Sequence, residues 1–128
     1  MNRSEQIEQL RPEISTDSGR ESLPMETFQN QTLRPILKFQ NDALITWFKS
    51  QLQDAELPDF KLELDGFIKA KLQKDIPLRN ILLGMVLGMM TETELLFYAA
   101  NRNELNKRVL DMLHQRIREQ MGNDMRKR

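Results

Sequence analysis

A run of ten residues without a polar side chain, Ile81 to Met90, is the feature that most limits how this chain can fold. The sequence of the run is Ile-Leu-Leu-Gly-Met-Val-Leu-Gly-Met-Met. In a water-soluble chain, a helix of this composition must be covered on every face, either by its own domain or by an assembly. The run is far shorter than the roughly 20 apolar residues of a membrane-spanning helix. It predicts the centre of a helical core and no membrane partner.

The rest of the composition favours helix. The 128 residues include 19 Leu and eight Met but only two Val and five Gly, and this length suits one domain. The predicted fold is all-α, a compact bundle of four to five helices with a buried apolar central helix and a long C-terminal helix.

Apolar residues are distributed unevenly along the chain. Residues 1–24 contain five apolar side chains, whereas residues 25–128 contain 45. A segment with so little apolar surface does not offset the entropy lost on ordering. The sequence therefore predicts a flexible N-terminal arm at 1–24, a helical domain at 25–122 and a polar C-terminal tail at 123–128.

Local signals place the helices within the domain. The first helix is expected at about 26–53, and Pro35 either kinks it, which we favour, or marks its first turn with Thr32 as the cap. Asp59 can cap a second helix over 60–72, although Asp65-Gly66 flanked by alternating apolar residues is also typical of a hairpin. The helical preference of Leu, Lys, Ala and Glu favours the helix.

The second half of the chain has clearer start signals. Pro77 suits the first turn of the apolar helix, which is expected to end near Met90. Thr91-Glu-Thr-Glu94 has the form of a capping box, so another helix begins at once and continues toward Gly122. Asn101-Arg102-Asn103 is a possible break in that helix.

Charge and cysteine content exclude several functions. Lysine plus arginine and aspartate plus glutamate balance at 19 each, which disfavours nucleic acid as a partner. The helix that begins at Thr91 opens with Glu92 and Glu94, which would repel phosphate at the position of a DNA-recognition helix. There are no cysteines and no apolar signal core at the N-terminus, so cytoplasmic residence is expected.

Few residues suggest chemistry. His114 is the only histidine, and Asp111 lies one helical turn before it, as in half of a two-metal helical site. No second ligand pair has that spacing, so we expect His114 to be structural or solvent-exposed. We predict no catalytic residue, no metal and no cofactor, and an enzyme is the less favoured interpretation.

Two glycines in the apolar run have a possible packing role. Gly84 and Gly88 form a small-xxx-small pair on one helical face, which lets another backbone approach closely. A groove for a neighbouring helix of the same subunit is the favoured explanation, and a subunit interface is the other.

The segment from Thr27 to Asp42, which contains QNQTLRPILKFQND, and the segment from Ile76 to Gly84 resemble a small bacterial family. Some members are labelled glyoxalase. Glyoxalase folds are rich in β-strands and use several His and Glu metal ligands, whereas this chain has one histidine and helical periodicity. The resemblance covers about residues 25–121 and implies no role for any residue.

Two predicted helices carry more apolar surface than one small domain usually buries. The sequence therefore predicts a non-catalytic helical interaction module, most simply a homodimer, or else a module that binds another protein. The expected interface residues are Phe39, Trp47, Phe48, Gly84 and Gly88. The alternative is a small apolar ligand in a pocket lined by Met85, Met89, Met90, Phe97 and Tyr98, because Met side chains adapt to irregular shapes.

Overall fold

The computed structural model describes residues 1–12, 24–53, 56–59 and 61–126. These residues form six helices and no strand, which confirms the all-α fold class but not the predicted number of four to five helices. The helices are α1 (Arg3–Leu10), α2 (Pro24–Ser50), α3 (Lys61–Lys74), α4 (Ile76–Leu87), α5 (Glu92–Ala100) and α6 (Arg102–Arg126). No helix in this part of the chain is long and apolar enough to cross a membrane.

Helix α2 contains an irregular turn. An α-helical turn at Pro24–Phe28 leads into a π-helical turn at Gln29–Leu33 and then into the α-helix Arg34–Ser50. The backbone N–H of Arg34 bonds to the carbonyl of Gln29, five residues earlier. Pro35 follows directly and has no N–H to continue the usual i→i−4 ladder. Thr32 is therefore not a cap, because the helix begins well before it.

Residues 61–74 form a helix, and the hairpin alternative is wrong. Leu64, Ile68 and Leu72 recur every four residues and are all buried. A strand would place Leu62 on the same face as Leu64, but Leu62 is 95% exposed, as a helix allows. Asp65-Gly66 lies inside the helix, so the identity of the flanking residues outweighs the turn signal.

The start signals in the second half are confirmed. Asp75 caps α4, with its carboxylate accepting the N–H of Leu78 at 3.2 Å, and Pro77 lies in the first turn. Thr91 and Glu94 form a reciprocal capping box at the start of α5. The break falls at Asn101, and α6 then continues to Arg126, beyond the predicted start of the polar tail.

The core lies where α2, α3, α4 and α6 meet. Helix α6 packs along α3, and α2 packs along α4. Buried side chains of α6 recur every four residues: Leu105, Val109, Leu113, Ile117 and Met121. One helix is not enclosed as the sequence predicts, because Ile81, Gly84 and Gly88 of α4 are exposed.

The first residues form a docked helix, where the sequence predicts a flexible arm. Helix α1 is capped by Asn2 and buries Ile7. Arg3 donates to the carbonyls of Met90 and Gly88 at 2.9 and 3.1 Å and pairs with Glu92. Polar contacts therefore hold this segment, which its low apolar content could not indicate. Residues 13–23 of the predicted arm lie outside the described residues.

Glu94 links three parts of the chain. Its carboxylate accepts two bonds from the Arg11 guanidinium, at 2.6 and 3.0 Å, and one from the Thr32 hydroxyl at 2.8 Å. It also accepts the backbone N–H of Thr91 at 2.9 Å. Burial opposes ionisation, but these donors outweigh it and keep the pKa of Glu94 below its usual value. Arg11, Thr32 and the start of α5 are thus fixed by one carboxylate.

Candidate functional site

One face of α4 is exposed and apolar. Pro77, Ile81, Gly84 and Gly88 are all exposed, and their spacing of four, three and four residues places them in one line along the helix. We call these four residues the open face. The opposite side of α4 is buried through Leu78, Leu82, Leu83 and Val86.

None of the four side chains of the open face is charged, and the largest of the four, Ile81, lies near its centre. Ile81 is 44% exposed, and Ile76, at the start of the helix, is exposed to the same extent. A line of four exposed residues without a polar side chain is unusual on a protein surface, because exposed helical faces are normally polar. The sequence and the burial pattern therefore identify the open face as a surface that another molecule can cover.

No side chain of the described part of the chain packs against the Cβ positions of the two glycines of the open face, although the Gly88 carbonyl accepts a hydrogen bond from Arg3 at 3.1 Å. A Cβ atom built on Gly84 would meet no other atom within 4 Å. One built on Gly88 would approach only backbone oxygens of α4 itself, the nearest being the Gly84 carbonyl at 3.2 Å. Within the described residues no helix packs against Gly84, so the favoured prediction of a groove for a helix of the same subunit does not hold at that glycine.

One edge of the open face adjoins α2. Met85 is half-buried, and its carbonyl accepts a hydrogen bond from the side-chain amide of Gln40 at 3.1 Å. Phe39 precedes Gln40 and is 45% exposed.

The five predicted interface residues occupy different environments. Phe39, Gly84 and Gly88 are exposed, and Trp47 is half-buried with an indole N–H that is buried and has no partner among the described residues. Phe48 is fully buried in the core. A partner molecule can reach the first three residues, but it cannot reach Phe48 without unfolding the domain.

The predicted pocket residues are largely part of the packing. Met90 and Tyr98 are buried, and the Tyr98 hydroxyl donates to Asn106. Phe97 is half-buried, with its ring centroid 4.8 Å from that of Phe28. Met85 and Met89 are half-buried as well. These side chains fill space between helices, as Met and aromatic residues commonly do.

His114 lies in a groove of about 490 Å³ between α3 and α6, which Asp111 also lines. Its Nε2 atom lies 3.1 Å from the Asp65 carboxylate, and Arg118 lies 3.1 Å from the same oxygen. Asp65 was not predicted to meet His114, because the two residues belong to different helices. No group of three metal-ligating side chains occurs among the described residues. The arrangement ties α3 to α6.

Two glycine substitutions test whether the space beside Gly84 is free of other parts of the chain. Gly66 and Gly84 both lie inside helices, both are exposed, and a Cβ atom at either position meets nothing within 4 Å. We expect Gly66→Ala and Gly84→Ala each to raise the free energy of unfolding by about 0.5–1 kcal/mol, because alanine favours helix. Thermal melting of dilute protein measures this. A destabilised Gly84→Ala variant would mean that the face is covered within the monomer.

Comparison of the chain with known protein families, with curated proteins and with solved structures gives no match. The resemblance to a small bacterial family stays a prediction.

Proposed function

We propose that this protein is a non-catalytic helical interaction module that forms a two-fold homodimer through the open face of α4. The observation that carries the proposal is the exposed, uncharged line of Pro77, Ile81, Gly84 and Gly88. In a two-fold dimer the same surface of both subunits meets itself, so the surface must complement its own copy.

The chemistry of the open face favours a second copy as the partner. An uncharged face brings no like charges of its own together when it meets itself, and the Arg3 guanidinium that contacts the Gly88 carbonyl at one end is paired with Glu92. Two glycines lower the surface on one side of Ile81, and this lets two helix backbones approach closely. A partner with a charged surface would gain no complementary charge here.

The size of the face limits the strength of the dimer. Helix α4 has 12 residues and so spans about 18 Å. Two such helices bury less area than a standard protein interface, unless neighbouring residues such as Phe39 contribute. We expect a dissociation constant on the order of 10 µM. In this dimer α4 would be enclosed on all sides, as its apolar sequence predicts.

A charge placed on the open face should prevent association. We expect Ile81→Lys to remain monomeric at concentrations where the wild type dimerises, because two lysines would be buried opposite each other. The measurement is the mass by light scattering across a hundredfold range of concentration. Ile81 is already exposed, so the variant should keep its helicity.

Leu96→Lys is the matched control. Leu96 is 74% exposed on α5 and does not belong to the open face. This variant should dimerise as the wild type does. If Leu96→Lys and Ile81→Lys weakened association equally, or if Ile81→Lys had no effect, the open face would not be the interface.

A further inference from the structure

A second surface feature is a polar groove of about 410 Å³ between α2 and α6. Gln29 and Arg34 of α2 line one side. Arg116, Gln115 and Gln120 of α6 line the other, with Met112 and Glu119. None of these residues belongs to the open face, so the groove is independent of the proposed dimer.

The two arginines of the groove have no carboxylate partner within ion-pair distance among the described residues. Arg116 donates one hydrogen bond, to the side-chain oxygen of Asn41 at 3.3 Å. Most of the five N–H donors of each guanidinium therefore remain available. Glu119 is exposed and lies near enough to act on Arg116 through its charge, but it forms no ion pair with it.

The charged form of Arg116 is disfavoured chiefly by partial burial. Partial burial lowers the pKa of Arg116, the nearby carboxylate of Glu119 raises it, and the smaller effect of the positive charge of Arg34 lowers it again. Two like charges held at one groove repel each other, and a bound anion reverses the sign of this interaction. An anion bound between both arginines would offset the burial of Arg116 and the repulsion between the two guanidinium groups.

Neighbouring amides hold the groove in place. Asn41 and Gln120 bond to each other, with the shorter bond running from the Gln120 amide to the Asn41 oxygen at 2.7 Å. Arg116 bonds to the same oxygen of Asn41, which orients its guanidinium. On the α2 side, Arg108 donates to the Gln29 side chain at 2.8 Å. Arg116 and Gln29 are therefore already oriented before a ligand binds, which lowers the cost of ordering them.

The irregular turn of α2 brings the α2 residues to this groove. Gln29 is the first residue of the π-helical turn, and Arg34 follows its last residue. A π-helical turn inserts one residue into a helix and is often found at functional sites. Here the polar side chain of its first residue and the charged side chain that directly follows it line the same groove.

We propose that this groove binds a small molecule through an oxyanion, a phosphate or a carboxylate group, with Arg34 and Arg116 as the charged donors. Arginine pairs with both groups in a bidentate geometry. The volume lies within the range of small-molecule sites. Two arginines against one glutamate, Glu119, leave the lining of the groove with a net positive charge, and its volume suits a small molecule.

Calorimetric titration of the full chain at constant ionic strength tests the proposal, with inorganic phosphate, pyrophosphate and succinate as probes. We expect at least one probe to bind with a dissociation constant below about 1 mM, and Arg116→Gln and Arg34→Gln each to weaken it at least tenfold. Binding of phosphate and pyrophosphate alone identifies a phosphate site. Binding of succinate alone identifies a carboxylate site.

Two further variants separate loss of the site from loss of charge or fold. Arg102→Gln removes the same charge from an exposed position outside the groove and should bind as the wild type does. Arg116→Lys keeps the charge but not the bidentate geometry, and it should bind more weakly than the wild type. Absence of binding by all three probes at 10 mM overturns the proposal. So does an equal loss in Arg102→Gln.

Discussion

Glu94→Gln is expected to lower the free energy of unfolding by about 2–3 kcal/mol and to release α1. The Arg11 and Glu94 side chains are only 10% and 17% exposed, so the substitution leaves a poorly hydrated guanidinium without its counter-charge. Glutamine keeps the shape of the capping residue, so the start of α5 should persist. Chemical denaturation measures the loss of stability, and hydrogen exchange of the amides of residues 3–10 measures the release.

Ionisation of the Glu94 carboxylate should also make the stability of the fold depend on pH. The folded protein lowers the pKa of Glu94 below its ordinary value of 4.5, so the folded state favours the ionised form. Its contribution to stability is therefore fully present above about pH 4.5 and is lost as the pH falls through the lower folded pKa. The stability difference between wild type and Glu94→Gln should shrink below pH 4.5.

Glu92→Gln provides the control for Glu94→Gln. Glu92 also pairs with α1, through Arg3 and Ser4, but both members of its ion pair are largely exposed. Water and salt screen such pairs, so this variant should have little effect on stability. Equal losses in the two variants would contradict the central role of Glu94 in docking α1.

Phe48→Ala is expected to destabilise the fold by about 3–5 kcal/mol, because it leaves a cavity at a fully buried position. This is a large part of the stability of a small domain. The matched variant, Phe39→Ala, removes an equal side chain from an exposed position and should change the stability of the monomer little. Thermal or chemical denaturation at low protein concentration compares the two.

The pair of variants also separates core from interface. Phe48→Ala should leave dimerisation intact wherever the protein remains folded, whereas Phe39→Ala should weaken it if Phe39 flanks the interface. A Phe48→Ala variant with unchanged stability would contradict the buried position of this ring.

The sequence predicts the helices well where the signal is local. Pro77 and the Thr91–Glu94 capping box specify helix starts through contacts within four residues, and both starts are observed. The helix at 61–74 is also predicted, because its apolar residues share one face. Such signals do not depend on how the helices later pack.

The sequence-based predictions that are wrong concern contacts between segments that are distant in the chain. Docking of α1 depends on Arg3 and Arg11, whose partners lie more than 75 residues away, and no apolar pattern marks it. His114 and Asp65 meet because α3 packs along α6, which the sequence does not specify. The open face was predicted to be covered because apolar composition shows that a helix must be buried but does not show which molecule buries it.

The most direct test of a dimer formed through the open face is disulfide cross-linking of cysteine variants, because the chain has no cysteine of its own. Ile81→Cys places one thiol per subunit on the open face, and Leu96→Cys places one at a more exposed position elsewhere. If two α4 helices pair, Ile81→Cys should form a covalent dimer on mild oxidation near 10 µM, well before Leu96→Cys does. Equal rates of cross-linking, or cross-linking of Leu96→Cys alone, would contradict a dimer formed through the open face.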